Sequence, residues 1–182
     1  MVPRVPRLIG LLTLLVSFAL VRPGFCALGQ SEQEYYAQYG KPTHQIGIDP
    51  RYASYVFKKN PYVLIAVFQN DRSIGEIISK AGGLSSADIA NILKTYEQGS
   101  AWRKENIKKR KGDDEKMRAQ GVLDVQIWSR SDGKAFASYL HGISGPPARA
   151  ELKLLLIGNK RGLQLVTQIA NNTQAWPMTP IP

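Results

Sequence analysis

Three short runs of aromatic and β-branched residues constrain the fold of this chain more than any other feature. The first run, Tyr52–Lys59, and the second, Tyr62–Gln69, are separated by an Asn-Pro pair, and the third, Ile74–Ser79, follows a polar turn. Such runs between turn residues are typical of β-strands, and connections this short join antiparallel neighbours. The sequence therefore predicts an antiparallel β-meander.

Helical segments flank the meander. Ser31 and Glu34 have the spacing of a capping box, which predicts a short helix that ends at Gly40. Leu84–Gly99 carries the stronger helical pattern, with apolar residues at i, i+3, i+4 and i+7. These residues are Ile89, Ile92, Leu93 and Tyr96. A helix with one apolar face packs against a sheet, so the predicted fold class is α+β, a β-meander packed by a helix.

The second half of the chain predicts further β-hairpins. Val122–Trp128 and Lys134–Leu140 flank an Asp-Gly turn, which is a good hairpin signal. Glu151–Ile157 predicts one more strand. Leu163–Ile169 either forms a second hairpin with that strand or belongs to a helix from Gly162, and the pattern leaves both open. The sequence shows no internal repeat.

The first 29 residues have the pattern of a signal peptide. Arg4 and Arg7 precede an apolar stretch, and 14 uncharged residues lie between Arg7 and Arg22. A membrane-spanning helix needs about 20 apolar residues, so this stretch is short for a span and normal for a signal peptide. Ala27 and Gly29 place small residues at −3 and −1. We therefore expect cleavage near Gly29 and an exported protein, periplasmic or secreted.

Two alternatives remain for the N-terminus. It could stay uncleaved as an anchoring helix, or Cys26 could accept a lipid, although Phe25 stands where a small residue would normally precede such a cysteine. With cleavage near Gly29, the mature chain has no Cys and therefore neither disulfides nor thiolate metal sites.

Composition divides the whole chain into five segments. The predicted organisation is a signal peptide (1–29), an α+β module (30–102), a basic linker or helix extension (103–120), a β-rich extension of the same domain (121–169) and a Pro-containing tail (170–182). The formal net charge is +10, and removal of three arginines with the signal peptide leaves +7.

A basic stretch accounts for much of the remaining charge. Residues 103–118 contain eight basic and four acidic side chains. Such a segment could bind an anionic polymer or a membrane surface. The possible anion-binding residues are Arg103, Lys104, Lys108, Lys109, Arg110 and Lys111. We favour a solvated loop or helix extension whose acidic residues pair locally. No aromatic residue interleaves the basic ones, as stacking of single-stranded nucleic acid would require.

No complete catalytic or metal-binding set is evident. His141 and Ser144 could form part of a hydrolase site, but Pro146 stands where a nucleophile elbow needs glycine. Two histidines offer too few ligands for a metal site, and no cofactor is predicted. The aromatic residues Trp102, Trp128, Phe136 and Tyr139 are expected to pack in the core. We therefore expect a non-enzymatic binding module.

Several short stretches resemble known exported proteins. The short helix, the Tyr39–Pro42 stretch (YGKP) and the aromatic strands that follow resemble the small periplasmic domain of the SmpA/OmlA outer-membrane assembly lipoproteins, over residues 31–80. The mature chain resembles small uncharacterised exported bacterial proteins at residues 39–42, 99–102 and 128–137. These resemblances imply an exported bacterial protein and bring no known activity. The expected partner is an unknown envelope protein or, through the basic segment, an anionic polymer.

Overall fold

The computed structural model describes residues 28–47, 49–107, 112–119, 121–143 and 151–172. These residues form eight strands in one antiparallel sheet and four helices. In chain order the elements are α1 (Glu32–Tyr39), β1 (His44–Gln45), β2 (Ala53–Lys59), β3 (Tyr62–Gln69), β4 (Arg72–Lys80), α2 (Ser86–Thr95), β5 (Trp102–Lys104), α3 (Asp113–Ala119), β6 (Val122–Arg130), β7 (Phe136–Ile143), β8 (Glu151–Gly158) and α4 (Lys160–Asn171). The predicted α+β class is confirmed, whereas the signal peptide lies almost wholly outside the described residues.

The two halves of the sheet have the same construction. The strand order is β1-β2-β3-β4-β8-β7-β6-β5, so each half begins with a short strand at an outer edge and ends at the centre. One helix precedes each set of four strands, α1 before β1 and α2 before β5. The fold therefore uses a helix-and-four-strand unit twice, a repeat in topology that no repeat in the sequence reveals.

The first unit follows the sequence prediction closely. At the start of α1, the Glu34 amide donates to the Ser31 hydroxyl at 3.2 Å, and the Ser31 amide donates to the Glu34 carboxylate at 2.6 Å. This reciprocal pair is the predicted capping box. The three predicted strands correspond to β2, β3 and β4, which pair antiparallel in sequence order.

The second unit contains one predicted hairpin and lacks the other. β6 and β7 pair across the Asp-Gly turn as expected. The hairpin considered for Leu163–Ile169 is wrong, because this segment lies within α4, and the helical alternative is confirmed. The Asn159 side chain caps α4 by accepting from the Gly162 amide at 2.8 Å, and β8 pairs instead with β4 and β7.

Each face of the sheet carries its own core because side chains alternate along the strands. The face that packs against α1 and α2, here called the α1/α2 face, includes Phe57, Ile78 and Leu155. The opposite face packs against α4 and includes Val56, Ile77 and Leu156. These neighbours in sequence alternate between the faces, so the central strands are buried on both sides and read as continuous apolar runs.

Three glycines allow α4 to begin directly against the central strands. Gly75 on β4 and Gly158 on β8 are paired in register, and Gly162 in the first turn of α4 lies against them. A Cβ atom on Gly162 would lie 1.7 Å from the Ile74 carbonyl oxygen. Because backbone surrounds this position, no side-chain movement can make room there.

We predict that Gly162→Ala strongly destabilises the protein. The added methyl group must push α4 away from β4, at a cost of about 3 kcal/mol or more in the free energy of unfolding. Gly47→Ala is the matched control, because its Cβ would meet nothing within 4 Å. Urea denaturation of both variants measures the difference, and equal stabilities would contradict the close packing.

A buried carboxyl group connects the helical segment at the start of each unit to the sheet. Glu76 on β4 is fully buried on the α1/α2 face. It accepts a hydrogen bond from the Tyr35 hydroxyl of α1 at 2.5 Å and another from the hydroxyl of Tyr96, which directly follows α2. Burial raises the pKa of Glu76 to about 7, against the lowering effect of the two hydroxyl groups.

We predict that Glu76 makes the protein more stable in mild acid than in mild base. Its pKa is about 7 in the fold and ordinarily 4.5, so the folded chain binds the proton more tightly. This contribution is full below pH 4.5 and is lost as the pH rises through 7, by up to about 3 kcal/mol.

Urea denaturation between pH 5 and 9 tests this contribution. Glu76→Gln should remove this dependence of the free energy of unfolding on pH. Glu115→Gln, at an exposed position on α3, should keep the pH dependence of the wild type. The difference in the free energy of unfolding between the wild type and Glu76→Gln should change over this range. A constant difference would contradict the raised pKa of Glu76.

Candidate binding groove

A groove of about 440 Å³ lies on the α1/α2 face, between α2 and the outer strands β5 and β6. Its floor includes Trp102 from β5 and Trp128 from β6, both half-buried, and its wall includes Ile89 and Leu93 from α2. We call it the α2–β5 groove. It combines flat aromatic surface with charged side chains at its rim, Lys94, Glu97 and Lys104.

Strand register explains why these side chains share a face. Lys104 pairs with Trp128, and Trp102 pairs with Arg130. Residues two apart on a strand point the same way, so β5 places Trp102 and Lys104 together and β6 places Gln126 beside Trp128. The Lys104 ammonium donates to the Gln126 side-chain oxygen at 2.8 Å and lies 5.8 Å from the centre of the Trp128 ring.

Two contacts hold the C-terminal end of α2 beside the outer strands. The Trp102 indole N–H donates to the Leu93 carbonyl oxygen at 2.7 Å. Arg130, which is buried, donates to the Tyr96 carbonyl oxygen at 3.0 Å and to the Gln98 side chain at 2.6 Å. The same guanidinium pairs with Asp132 at 2.9 Å and lowers the pKa of that carboxyl group. The groove therefore has a fixed wall.

The N-terminal end of α2 is held by a polar cluster around Asp88. The Asp88 carboxylate accepts from Ser85 in a capping box, from the Tyr62 hydroxyl at 2.9 Å and from the Lys80 ammonium at 3.0 Å. These hydrogen bonds, with those from Ser85 first, lower the pKa of Asp88. Since Tyr62 and Lys80 lie on β3 and β4, the cluster ties this end of α2 to the first unit.

The structure separates the two predicted anion-binding residues that it describes. Arg103 and Lys104 are consecutive on β5, so they lie on opposite faces of the sheet. Lys104 belongs to the α2–β5 groove, whereas Arg103 pairs with Glu105 at 3.0 Å beside a depression of about 490 Å³ on the other face. The remaining candidates, Lys108, Lys109, Arg110 and Lys111, lie outside the described residues.

Only one of the two residues of the possible hydrolase site lies within the described residues. His141 lies on β7 opposite Asp124 of β6, and Ser144 lies outside the described residues. Within the described ranges, no group of three or more His, Cys, Asp or Glu side chains could hold a metal ion. No helix in the described part of the chain is long and apolar enough to cross a membrane.

Sequence reasoning identified the aromatic residues but missed the groove. Tyr139 is buried as expected, and Phe136 is half-buried. Trp102 and Trp128 do pack against the core, yet they also leave surface facing the groove. The alternation of Trp102 with Lys104, and of Gln126 with Trp128, was a signal for a mixed aromatic and polar face. It could not indicate that α2 would border that face.

The chain matches no protein-family model and no curated protein. One similar solved structure is that of a cysteine-rich secretory protein from Staphylococcus aureus, with 16% sequence identity and a TM-score of 0.40. The match covers 79% of this chain and 47% of that chain, so this chain spans about half the length of that protein. Similarity at this level carries no argument about the function of this chain.

Proposed function

We propose that the protein is an exported, non-enzymatic binding module whose α2–β5 groove takes an anionic polymer of the cell envelope. The observation that carries the proposal is the placement of Lys104 over the face of Trp128, beside Trp102 in the same groove. An ammonium group attracts a negative charge, and the adjacent aromatic faces offer flat apolar surface. A polymer with charged units that also have an apolar face, such as an acidic polysaccharide, matches both.

The net charge of the groove favours an anionic ligand over a cationic one. Lys94 and Lys104 are both exposed at its rim, against the single carboxylate of Glu97. The only hydrogen bond that Lys104 makes to another side chain in the described structure is the one to Gln126, and an ammonium group has three donors. Lys104 can therefore bind an incoming anion without losing its present partner.

Export rests on the sequence of the N-terminus. Residues 1–29 have the charge, length and small residues of a signal peptide, and residues 31–80 resemble a periplasmic lipoprotein domain. An exported binding module with a positive charge of +7 would meet anionic polymers in the envelope, where long-range attraction raises the rate of association. The expectation of no enzymatic activity also comes from the sequence, which contains no complete catalytic set.

The basic segment supports a second candidate function. Residues 103–118 carry a net charge of +4, which would attract an anionic membrane surface without any need for the groove. Binding of this kind depends on total charge, so it should weaken steeply with salt and be insensitive to loss of the tryptophan rings. The two candidate functions therefore differ in whether the Trp128 ring contributes to binding affinity.

We predict that Lys104→Met and Trp128→Leu weaken binding of the mature protein to alginate, an acidic polysaccharide used as the probe. Loss of the ammonium or of the ring should each cost about 1 kcal/mol, which is roughly a fivefold rise in Kd. Tryptophan fluorescence titration measures the Lys104→Met variant, and calorimetry measures both. Circular dichroism checks that Trp128→Leu remains folded.

Arg103→Met is the matched control, because it removes one positive charge from the same strand on the opposite face. It should leave the affinity for alginate unchanged, and neutral dextran should not bind. If Arg103→Met weakens binding as much as Lys104→Met, the groove is not the site. Binding to phosphatidylglycerol vesicles that is unaffected by Trp128→Leu would favour the basic segment instead.

A further inference from the structure

The residues around the predicted cleavage site are part of the fold. The Gly29 amide donates to the Ser73 carbonyl oxygen at 2.8 Å and to the Ser73 hydroxyl at 2.9 Å. In return, the Ser73 amide donates to the Gln30 carbonyl oxygen at 2.8 Å. This reciprocal pairing joins residues 29 and 30 to the first residues of β4.

The two residues before Gln30 make further contacts with both units. The Leu28 side chain packs against the core of the α1/α2 face, and the Leu28 carbonyl oxygen accepts from the Gln98 side chain at 3.0 Å. The Gly29 carbonyl oxygen accepts from the Arg72 guanidinium at 3.2 Å. Leu28 and Gly29 therefore connect β4 to the loop that follows α2.

Cleavage after Gly29 would remove from the mature protein every contact that Leu28 and Gly29 make, and of those described it would leave the hydrogen bond from the Ser73 amide to the Gln30 carbonyl oxygen. It would delete the Leu28 side chain from the core, take away the Gly29 amide that bonds Ser73, and leave a charged amino group on Gln30. Each lost hydrogen bond and each lost apolar contact lowers stability. A folded mature chain with all of these contacts must begin at or before Leu28.

We infer that the signal peptide is cleaved at the Cys26–Ala27 bond, so that the mature protein begins at Ala27. This inference rests on the export part of the proposed function. Signal peptidase requires small residues at −3 and −1, and for this bond they are Gly24 and Cys26. The bulky Phe25 occupies −1 for the preceding bond and −3 for the following one, so neither is suitable. Hydrolysis of the amide consumes one water molecule and leaves a carboxylate on Cys26 and an amino group on Ala27.

This cleavage has two consequences for the mature protein. It removes the thiol of Cys26, so the exported chain contains no cysteine and needs no redox protection. It also retains Leu28 and Gly29 and their contacts with Ser73, Arg72 and Gln98. The sequence prediction of cleavage near Gly29 is thus moved upstream by three residues.

The direct test is the N-terminus of the processed protein. The full-length chain with a C-terminal tag is expressed in a bacterium, and intact mass and N-terminal sequencing identify its first residue. A start at Ala27 supports the inference. A start at Leu28 or Gln30 overturns the inference but leaves export intact, and a lipid-modified start at Cys26 does the same. If all of the recovered protein is unprocessed and begins at Met1, both the inference and cleaved export are overturned.

Two matched variants distinguish the competing bonds. Cys26→Phe places a bulky residue at −1 of the inferred site but leaves Ala27 and Gly29 unchanged, so the normal product should be lost. Ala27→Phe blocks the site after Gly29 at −3 but leaves Gly24 and Cys26 unchanged, so processing should continue. The reverse pattern would place cleavage after Gly29 and overturn the inference.

Thermal unfolding tests the structural premise separately. A mature chain that begins at Ala27 should melt about 5 °C or more above one that begins at Gln30, because only the longer chain makes the contacts of Leu28 and Gly29. Equal melting temperatures would show that these contacts contribute nothing, and the reason for preferring the upstream bond would be lost.

Discussion

The carboxyl group of Glu76 is the interaction on which the arrangement of this protein depends. It lies on β4, beside the seam where the two units of the sheet meet, and it receives one tyrosine hydroxyl from each unit's helical segment. A buried carboxyl group without partners would be costly, so Tyr35 and Tyr96 must both reach it. α1 and the end of α2 are thereby fixed over the same strand, and the two halves cannot shift independently.

The α2–β5 groove follows from this constraint. Tyr96 and Arg130 hold the end of α2, and Asp88 holds its beginning, at a position that leaves the strands at the sheet's edge partly uncovered. Trp102 and Trp128 therefore remain only half-buried. A core that is complete at the centre of the sheet leaves aromatic surface at its edge, and the Lys104 ammonium lies beside that surface, which is the basis of the proposed binding of anions.

The inferred cleavage after Cys26 would link maturation of the chain to its folding. Leu28 and Gly29 lie within the segment with signal-peptide features (residues 1–29), yet they contact β4 and the loop after α2. Features of a signal peptide describe what the export machinery recognises, whereas these contacts describe what the mature fold requires. The two requirements together select a bond that neither selects alone.

Local patterns in the sequence determined the capping box of α1, the β2–β4 meander and the β6–β7 hairpin, because caps, turns and side-chain periodicity act over only a few residues. The tertiary structure decided between helix and strand for Leu163–Ile169. A helix there covers the apolar face of β4 and β8 that is opposite α1 and α2. The absence of side chains at Gly75, Gly158 and Gly162 lets its first turn lie against these strands. It likewise decided that Arg103 and Lys104 belong to opposite faces, and that Glu76 meets Tyr35 and Tyr96. These outcomes depend on which distant segments become neighbours, and burial of the whole chain decides that rather than the pattern of any one segment.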